Sequence, residues 1–152
     1  MLKHLKSLRE YIDALQTVGE VQEINPEVDL NLELAAIIRN SYEQKAPAPL
    51  FNTIKDIEPG FRVLGAPAGV SCQPGLYLAR IAISLGLDPH STGQQIVEAL
   101  VAARDRQPIP PQIVQVAPCK ENIFLGDDVD LLRIPSPLLH QGDGGRYKLI
   151  DI

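Results

Sequence analysis

The placement of proline most constrains how this chain of 152 residues can fold. The chain has 13 prolines, and the run Pro-Ile-Pro-Pro occupies residues 108–111. Proline fixes φ, lacks a backbone N–H and restricts the residue before it, so no helix can continue through this run. The sequence therefore predicts a compact part over residues 1–106 and a proline-rich, extended part over residues 107–137.

Local patterns predict four helices in the compact part. Ser7 and Glu10 form a capping box that starts a helix over Leu8–Val18, which Gly19 ends. A third, apolar helix spans Leu76–Leu85 and ends at Gly86.

The second and fourth helices are predicted from apolar stripes at helical spacing. Asp29 or Asn31 is expected to cap the second helix, and Ser91 or Thr92 the fourth. The inward-facing residues are expected to be Leu30, Leu34, Ile37, Ile38 and Tyr42 in the second helix, and Ile96, Val97, Leu100 and Val101 in the fourth.

Strand patterns are shorter. Residues Glu20–Asn25 stop at Pro26 and fit an edge strand, while Leu50–Ile54 and Arg62–Leu64 flank a turn-rich loop and fit a strand pair. A further strand is predicted at Ile113, Val114 and Val116. The fold class that follows is α/β or α+β: a small mixed sheet of four or five strands covered by about four helices, with the strand order open.

Composition excludes several classes of partner. The net charge of −5 gives no attraction to nucleic acid or to an anionic membrane, and no apolar run reaches the ~18 residues that cross a bilayer. The first residues lack a signal-peptide core, so a cytoplasmic protein is expected, with Cys72 and Cys119 as reduced thiols.

Residues that could carry chemistry do not form a recognisable constellation. The GDDVD stretch at 126–130 lacks the EF-hand pattern, and the glycines at 142, 144 and 145 are followed by no helix, so both predict solvated turns. The serines show no nucleophile elbow, and the histidines are far apart in sequence. Residues weighed and given capping or surface roles are Ser7, Ser71, Ser84, Ser91, Ser136, His4, His90 and His140. We therefore assign no catalytic, cofactor-binding or metal-binding residue from spacing.

Ordered blocks along the chain are more informative than any single motif. In sequence order they are PLFNTI, RVLGAP, PIPPQIV, APCKEN, DVDLLRIPSPLLH and DGGRY, and VQEINPEVDLNLELAAI precedes them. In this order and spacing they resemble the N-terminal domain of UbiD-family decarboxylases, most nearly the fungal ferulic or phenolic acid decarboxylase branch. The resemblance covers nearly the whole chain.

The resemblance implies a carboxy-lyase that reversibly decarboxylates aromatic or α,β-unsaturated acids with prenylated FMN. In that family a divalent metal (Mn or Mg) and potassium hold the flavin phosphate, and a Glu-Arg-Glu set transfers protons. Those residues lie downstream of the DGGRY-like block in the family. This chain alone is therefore expected to be inactive and to bind none of these groups.

The same resemblance predicts the domain organisation. Residues 1–137 would form the N-terminal domain, and residues 138–152 would begin the flavin-binding domain, with a strand starting at Tyr147 and a hinge at Gly142 to Gly145. The partners would be the remaining flavin-binding and C-terminal domains of a homo-oligomeric parent. An isolated domain would expose apolar surface near Leu131 to Leu139 and could self-associate.

Several alternatives stay open at this point. The chain could instead be a free-standing protein-interaction module or a non-catalytic partner subunit. Family members usually continue after the DGGRY-like block with PDG and WTN motifs, whereas this chain reads KLIDI, so Ile152 could be a natural, proteolytic or designed end. Benzoate-type and cinnamate-type acids remain equally open as substrates of the parent, with heteroaromatic acids ranked behind them.

Overall fold

A computed structural model describes residues 5–144 of the chain. Within that range it contains four α-helices, a three-stranded sheet and three short 3-10 helices. His4, Gly145 and the strand expected from Tyr147 lie outside the described residues. The elements, in chain order, are α1 (Leu8–Thr17), β1 (Val21–Ile24), α2 (Glu33–Gln44), β2 (Ala48–Phe51), β3 (Val63–Leu64), α3 (Ala79–Ser84) and α4 (Gly93–Arg104), followed by 3-10 helices at Pro118–Lys120, Gly126–Asp128 and Leu131–Arg133.

The sheet has the order β1-β2-β3, which confirms the mixed α/β class and the edge position of β1. β1 runs parallel to β2, with Val21 opposite Ala48, and β3 runs antiparallel to β2, with Leu64 opposite Leu50. The predicted pairing of the segments around residues 50 and 64 is therefore confirmed. The central strand nevertheless begins two residues earlier than expected.

Pro49 explains why the sequence pattern placed that strand too late. Proline is rarely found inside a central strand because it cannot donate to the ladder. The amide of Ala48 donates to Glu20 O, just before β1, and the amide of Asn52 donates to Ile24 O in β1, so the backbone of Pro49 between them faces β3. Pro49 lies just beyond the residues that pair with β3, so its missing N–H costs no ladder hydrogen bond. Its carbonyl accepts from Gly65 N at 2.8 Å.

Two apolar clusters form the core. The first joins α2 to β2 and includes Leu34 and Phe51, both with no exposed surface. The second joins α1 to α3 through Leu15 and Ile83. These clusters lie on the part of the chain between residues 5 and 104, which we call the body.

The start of α2 differs from the prediction. Its N-cap is Leu32, in the left-handed region with φ 69°, and neither Asp29 nor Asn31 occupies that position. Asp29 still organises the turn, because its carbonyl accepts from Leu34 N and its amide donates to the Glu33 carboxylate at 2.8 Å. A polar residue close to a helix start was therefore mistaken for the cap itself.

Thr92, one of the two caps expected for helix α4, is its N-cap, and Gln95 completes a capping box that the sequence analysis did not predict. The predicted inward stripe, however, is mostly wrong. Ile96 is buried, but Val97, Leu100 and Val101 are each more than half exposed. Their spacing is helical, but no described element packs over them.

The strand predicted at Ile113, Val114 and Val116 is also wrong, since the described residues there form no strand or bridge. A strand is stabilised by a neighbour to which its backbone can bond. The prolines before it lack N–H groups, and Ile113 is 90% and Val116 88% exposed. The β-branched residues here favour extended backbone, but no described strand lies beside them to pair with.

Candidate docking surface

A buried ion pair between Arg80 on α3 and Glu20 before β1 organises the loops of the body. Arg80 Nε donates to Glu20 Oε2 at 2.9 Å, and each side chain is 1% exposed. Arg80 also donates from Nη1 to Ala66 O at 3.0 Å and from Nη2 to Ala46 O. Buried charges are tolerated when paired and hydrogen-bonded, and this guanidinium meets both conditions.

The other oxygen of the Glu20 carboxylate is bound by the loop before α3. Ser71 Oγ donates to Glu20 Oε1 at 2.6 Å, and Gln73 Nε2 donates to the same oxygen at 2.8 Å. Gly69 permits the loop to approach, because a Cβ there would lie 2.5 Å from Arg80 Nη1. We call this set of contacts the Arg80 hub.

Tyr11 completes the hub from α1. Its hydroxyl lies within hydrogen-bonding distance of two carbonyl oxygens as acceptors, Pro67 O at 2.7 Å and Arg80 O at 3.1 Å. Burial raises the pKa of the Tyr11 hydroxyl to about 12; nearby Arg80 opposes this shift and Glu20 adds to it. The hub joins α1, α3 and three loops, and its contacts are those of a scaffold.

The sequence did not reveal the hub. Arg80 and Glu20 are 60 residues apart, and each appeared as one charge beside an apolar run. One signal was available: Arg80 is the single charged residue in the helix ARIAIS, which is otherwise nearly all apolar and is largely buried.

The histidines and serines weighed for catalysis are kept apart by the fold. His90 Nδ1 lies 3.1 Å from Gly75 O in an exposed turn, and His140 Nδ1 lies 3.4 Å from Asp143 Oδ2 in another. Ser7 caps α1 by accepting from Glu10 N, and Ser84 donates to Ile81 O within α3. Ser71 belongs to the hub, and Ser136 is buried.

The remaining candidate stretches are turns. Residues Gly126–Asp128 form an exposed 3-10 helix, and residues 141–144 form an exposed turn. Cys72 is a free, exposed thiol, and the side chain of Cys119 lies outside what the structure describes. Across residues 5–144, no three His, Cys, Asp or Glu side chains gather as a metal site would require, and no helix is both long and apolar enough to span a membrane.

The feature that stands out is instead an exposed apolar segment. Residues 107–137, which we call the proline-rich segment, contain no α-helix or strand within their described structure. Its apolar side chains face outward, from Ile109 at 94% exposure to Leu125 at 74% and Leu132 at 61%. Large exposed apolar patches occur at protein or membrane interaction sites, at ligand-binding grooves and at aggregation-prone surfaces.

The segment is attached to the body near its C-terminal end. Arg133 Nη2 donates to Glu58 Oε1 in the β2–β3 loop at 2.8 Å, and the guanidinium lies 5.5 Å from the centroid of the Phe124 ring. Leu138 N donates to Leu30 O at 2.9 Å just beyond the segment. Within the described residues, these contacts tie the C-terminal end of the segment to the body.

Comparison with protein families identifies the body. The model of the UbiD N-terminal domain, described as the N-terminal domain of 3-octaprenyl-4-hydroxybenzoate carboxy-lyase, matches residues 12–100. The chain belongs to the UbiD N-terminal domain family. The resemblance read from the sequence blocks is thus confirmed.

Curated relatives in the UbiD family are decarboxylases. The pyrrole-2-carboxylic acid decarboxylase of Pseudomonas aeruginosa is 48% identical over 139 residues, which are 91% of this chain and 28% of that protein. Ferulic acid decarboxylase 1 of Saccharomyces cerevisiae is 40% identical over 142 residues, with the same two coverages. The chain therefore spans a little over a quarter of the length of these relatives.

Solved structures of UbiD-class enzymes share the fold. Vanillic acid decarboxylase of Sedimentibacter hydroxybenzoicus in its open form superposes with a TM-score of 0.79 at 29% identity, covering 95% of this chain and 30% of that one. The UbiD-class enzyme HmfF of Pelotomaculum thermopropionicum, in an evolved dimeric form in complex with prFMN, gives 0.68 at 26% identity, with the same coverages. The likeness includes most of the proline-rich segment as well as the body.

Proposed function

We propose that this chain is the N-terminal scaffold domain of a larger carboxy-lyase that uses prenylated FMN to decarboxylate an aromatic or α,β-unsaturated carboxylic acid. The observation that carries the proposal is 48% identity to a pyrrole-2-carboxylic acid decarboxylase across 91% of the chain. In this proposal residues 1–137 form the domain and residues 138–152 begin the flavin-binding domain.

The described residues do not fit a site for the cofactor. They bring together no metal-binding cluster, and their one buried cation, Arg80, is already bound by Glu20 and two carbonyls. We therefore place prenylated FMN, its divalent metal (Mn or Mg) and potassium in the remainder of the parent protein. Bound there, prenylated FMN would supply the electron-accepting chemistry of the decarboxylation.

In this proposal the contribution of the chain to the enzyme is structural. The Arg80 hub fixes the loops of the body, and the proline-rich segment supplies apolar surface that the following domain covers. Covering that surface would keep water from the domain junction and hold the two domains in one relative position. We further propose a cytoplasmic, homo-oligomeric parent, and self-association of the domain when it is isolated.

The substrate class is chosen from the curated relatives. The bacterial relative named for pyrrole-2-carboxylic acid shares more identical residues than the two fungal ferulic acid decarboxylases, at 48% against 40% and 43%. We therefore propose a heteroaromatic acid as the first substrate to test, ahead of cinnamate-type and benzoate-type acids.

A hybrid enzyme tests the proposal. The matched region of the full-length Pseudomonas aeruginosa enzyme is replaced by the corresponding residues of this chain, and the purified hybrid is loaded with prenylated FMN. We expect the hybrid to keep flavin absorbance after desalting and to release carbon dioxide from pyrrole-2-carboxylic acid. A folded hybrid that holds no flavin would contradict the proposal.

The isolated chain provides the complementary measurement. Incubated with prenylated FMN and desalted, it should show no flavin absorbance, and it should release no carbon dioxide from pyrrole-2-carboxylic, cinnamic, ferulic or protocatechuic acid. Retained flavin and turnover in this chain alone would show that the proposal assigns the chemistry to the wrong part of the parent.

A further inference from the structure

A cleft of about 340 Å³ lies between the β2–β3 loop and residues 122–134 of the proline-rich segment. Its apolar wall includes Phe61 from the loop, and Phe124 and Leu131 from the segment. Its polar rim includes Glu58 and Arg133. We call it the anchor cleft.

One side chain holds the walls of the anchor cleft together. Arg133 donates to Glu58 at 2.8 Å across the cleft, and its guanidinium carbon lies 5.5 Å from the centroid of the Phe124 ring, nine residues upstream. Arginine suits this place because its planar fork binds a carboxylate while its face packs on an aromatic ring. Arg133 therefore bridges the two walls of the cleft at its exposed rim.

The rim carries an excess of negative charge. Glu58, Asp128 and Asp130 contribute three carboxylates to the lining, against the one guanidinium of Arg133. The Asp130 carboxylate also accepts from Leu132 N at 2.8 Å, which fixes its position at the start of the last 3-10 helix. A surface that covers the cleft is best matched by basic groups, since complementary charge steers and orients association.

An apolar pocket inside a polar rim is the anatomy of an interface hot spot, where one inserted side chain carries much of the binding energy. The occupant follows from length: the relatives extend well beyond the 28% that this chain spans. We propose that the anchor cleft receives an apolar or aromatic side chain, flanked by lysine or arginine, from the part of the parent polypeptide outside these 152 residues. This inference rests on the proposed function and names the contact through which the scaffold holds its neighbour.

Hydrogen exchange of the amides in residues 122–134 tests the anchor cleft. Each exchange rate is measured in the isolated chain and in the hybrid enzyme described above, and the ratio of the two rates gives the protection that the rest of the enzyme supplies. The variants are Leu131→Asp, which places a charge in the apolar wall, and Asp128→Lys, which reverses one rim charge. Each variant is compared with the isolated chain that carries the same substitution.

Val97→Asp is the matched control, because Val97 is 58% exposed on α4 and Leu131 is 59% exposed in the cleft. We expect Leu131→Asp to lower the protection ratio at least about fivefold, as loss of a hot-spot contact does. Asp128→Lys should lower it less, and more so at low salt than at high salt. Val97→Asp should leave it unchanged.

The outcomes separate this inference from the proposed function. A hybrid without flavin or turnover contradicts the proposed function. An active hybrid in which residues 122–134 exchange as fast as in the isolated chain overturns the anchor cleft. The same holds if Leu131→Asp leaves protection intact, or if Val97→Asp reduces it equally.

Discussion

The body and the proline-rich segment differ in what they bury and what they expose. The body buries a charged pair, Arg80 and Glu20, to 1% exposure, whereas the segment leaves Ile109, Ile113 and Val116 almost fully in solvent. Buried charges and exposed apolar side chains are each uncommon, and they have different explanations here. The body pairs its buried charges internally, while the exposed apolar side chains of the segment are the surface that we propose the rest of the parent covers.

The largest effect should come from breaking the buried pair. Arg80→Met leaves Glu20 buried without its cation and frees the carbonyls of Ala46 and Ala66, so we expect a loss of about 3–5 kcal/mol in the free energy of unfolding. Urea denaturation of the isolated chain measures it. Arg39→Met removes an exposed pair with Glu43 and should leave the midpoint unchanged.

Replacing both partners sharpens the first prediction. In the double variant Arg80→Met with Glu20→Met, neither charge is left unpaired, so the loss should be smaller than for Arg80→Met alone. Equal losses in the single and double variants would show that the stranded carboxylate is not what destabilises the body.

A core truncation should come next in size. Leu34 has no exposed surface, so Leu34→Ala removes buried methyl groups, leaves a cavity and should cost about 2–5 kcal/mol. The matched variant Leu132→Ala, at 61% exposure in the segment, should change the free energy of unfolding by less than about 0.5 kcal/mol. A similar cost at both positions would show that the segment already packs against the body.

Tyr11 gives the body a dependence on alkaline pH. Its pKa is raised by burial to about 12, above the ordinary value of 10.0, so the unfolded chain loses this proton first as pH rises. The stabilisation is complete below pH 10 and is lost as pH rises toward 12. Tyr11→Phe should cost about 1 kcal/mol at neutral pH and should flatten this part of the profile. Tyr42→Phe, at a half-exposed position, should keep the wild-type profile.

The smallest effect on stability should come from the segment itself. Ile113→Ser replaces a side chain that is 90% exposed, so unfolding of the isolated chain should change by less than about 0.5 kcal/mol. The same change should reduce self-association, measured by sedimentation velocity over a range of concentrations. A wild-type chain that stays monomeric at high concentration would contradict the prediction that the segment mediates self-association.

The body was largely predictable from local signals. Helix α1 follows from its apolar spacing and from Ser7, which caps it by accepting from Glu10 N as expected. The cap of α4 was equally readable, since Ser91 or Thr92 was expected and Thr92 is the N-cap. Such signals work because the partners lie within a few residues of one another.

Failures arose where the outcome depended on distant partners. The pairing of Glu20 with Arg80 joins residues 60 positions apart, and local spacing carries no trace of it. The apolar residues of α4 and of residues 113–116 satisfy a helical or strand pattern, but a pattern alone cannot show whether a neighbour covers them. The family resemblance supplied what spacing lacked, since several ordered blocks record a whole fold.

The loop that carries Ala66 and Gly69 illustrates what the buried guanidinium demands of the chain around it. Surface loops usually tolerate insertions, because solvent takes over whatever contacts they lose. This loop instead contacts a buried cation: Ala66 O accepts from Arg80 Nη1 at 3.0 Å, and Gly69 leaves no room for a Cβ beside the same nitrogen. An inserted residue would move the Ala66 carbonyl away from the guanidinium. This exposed-looking loop should therefore tolerate insertions poorly.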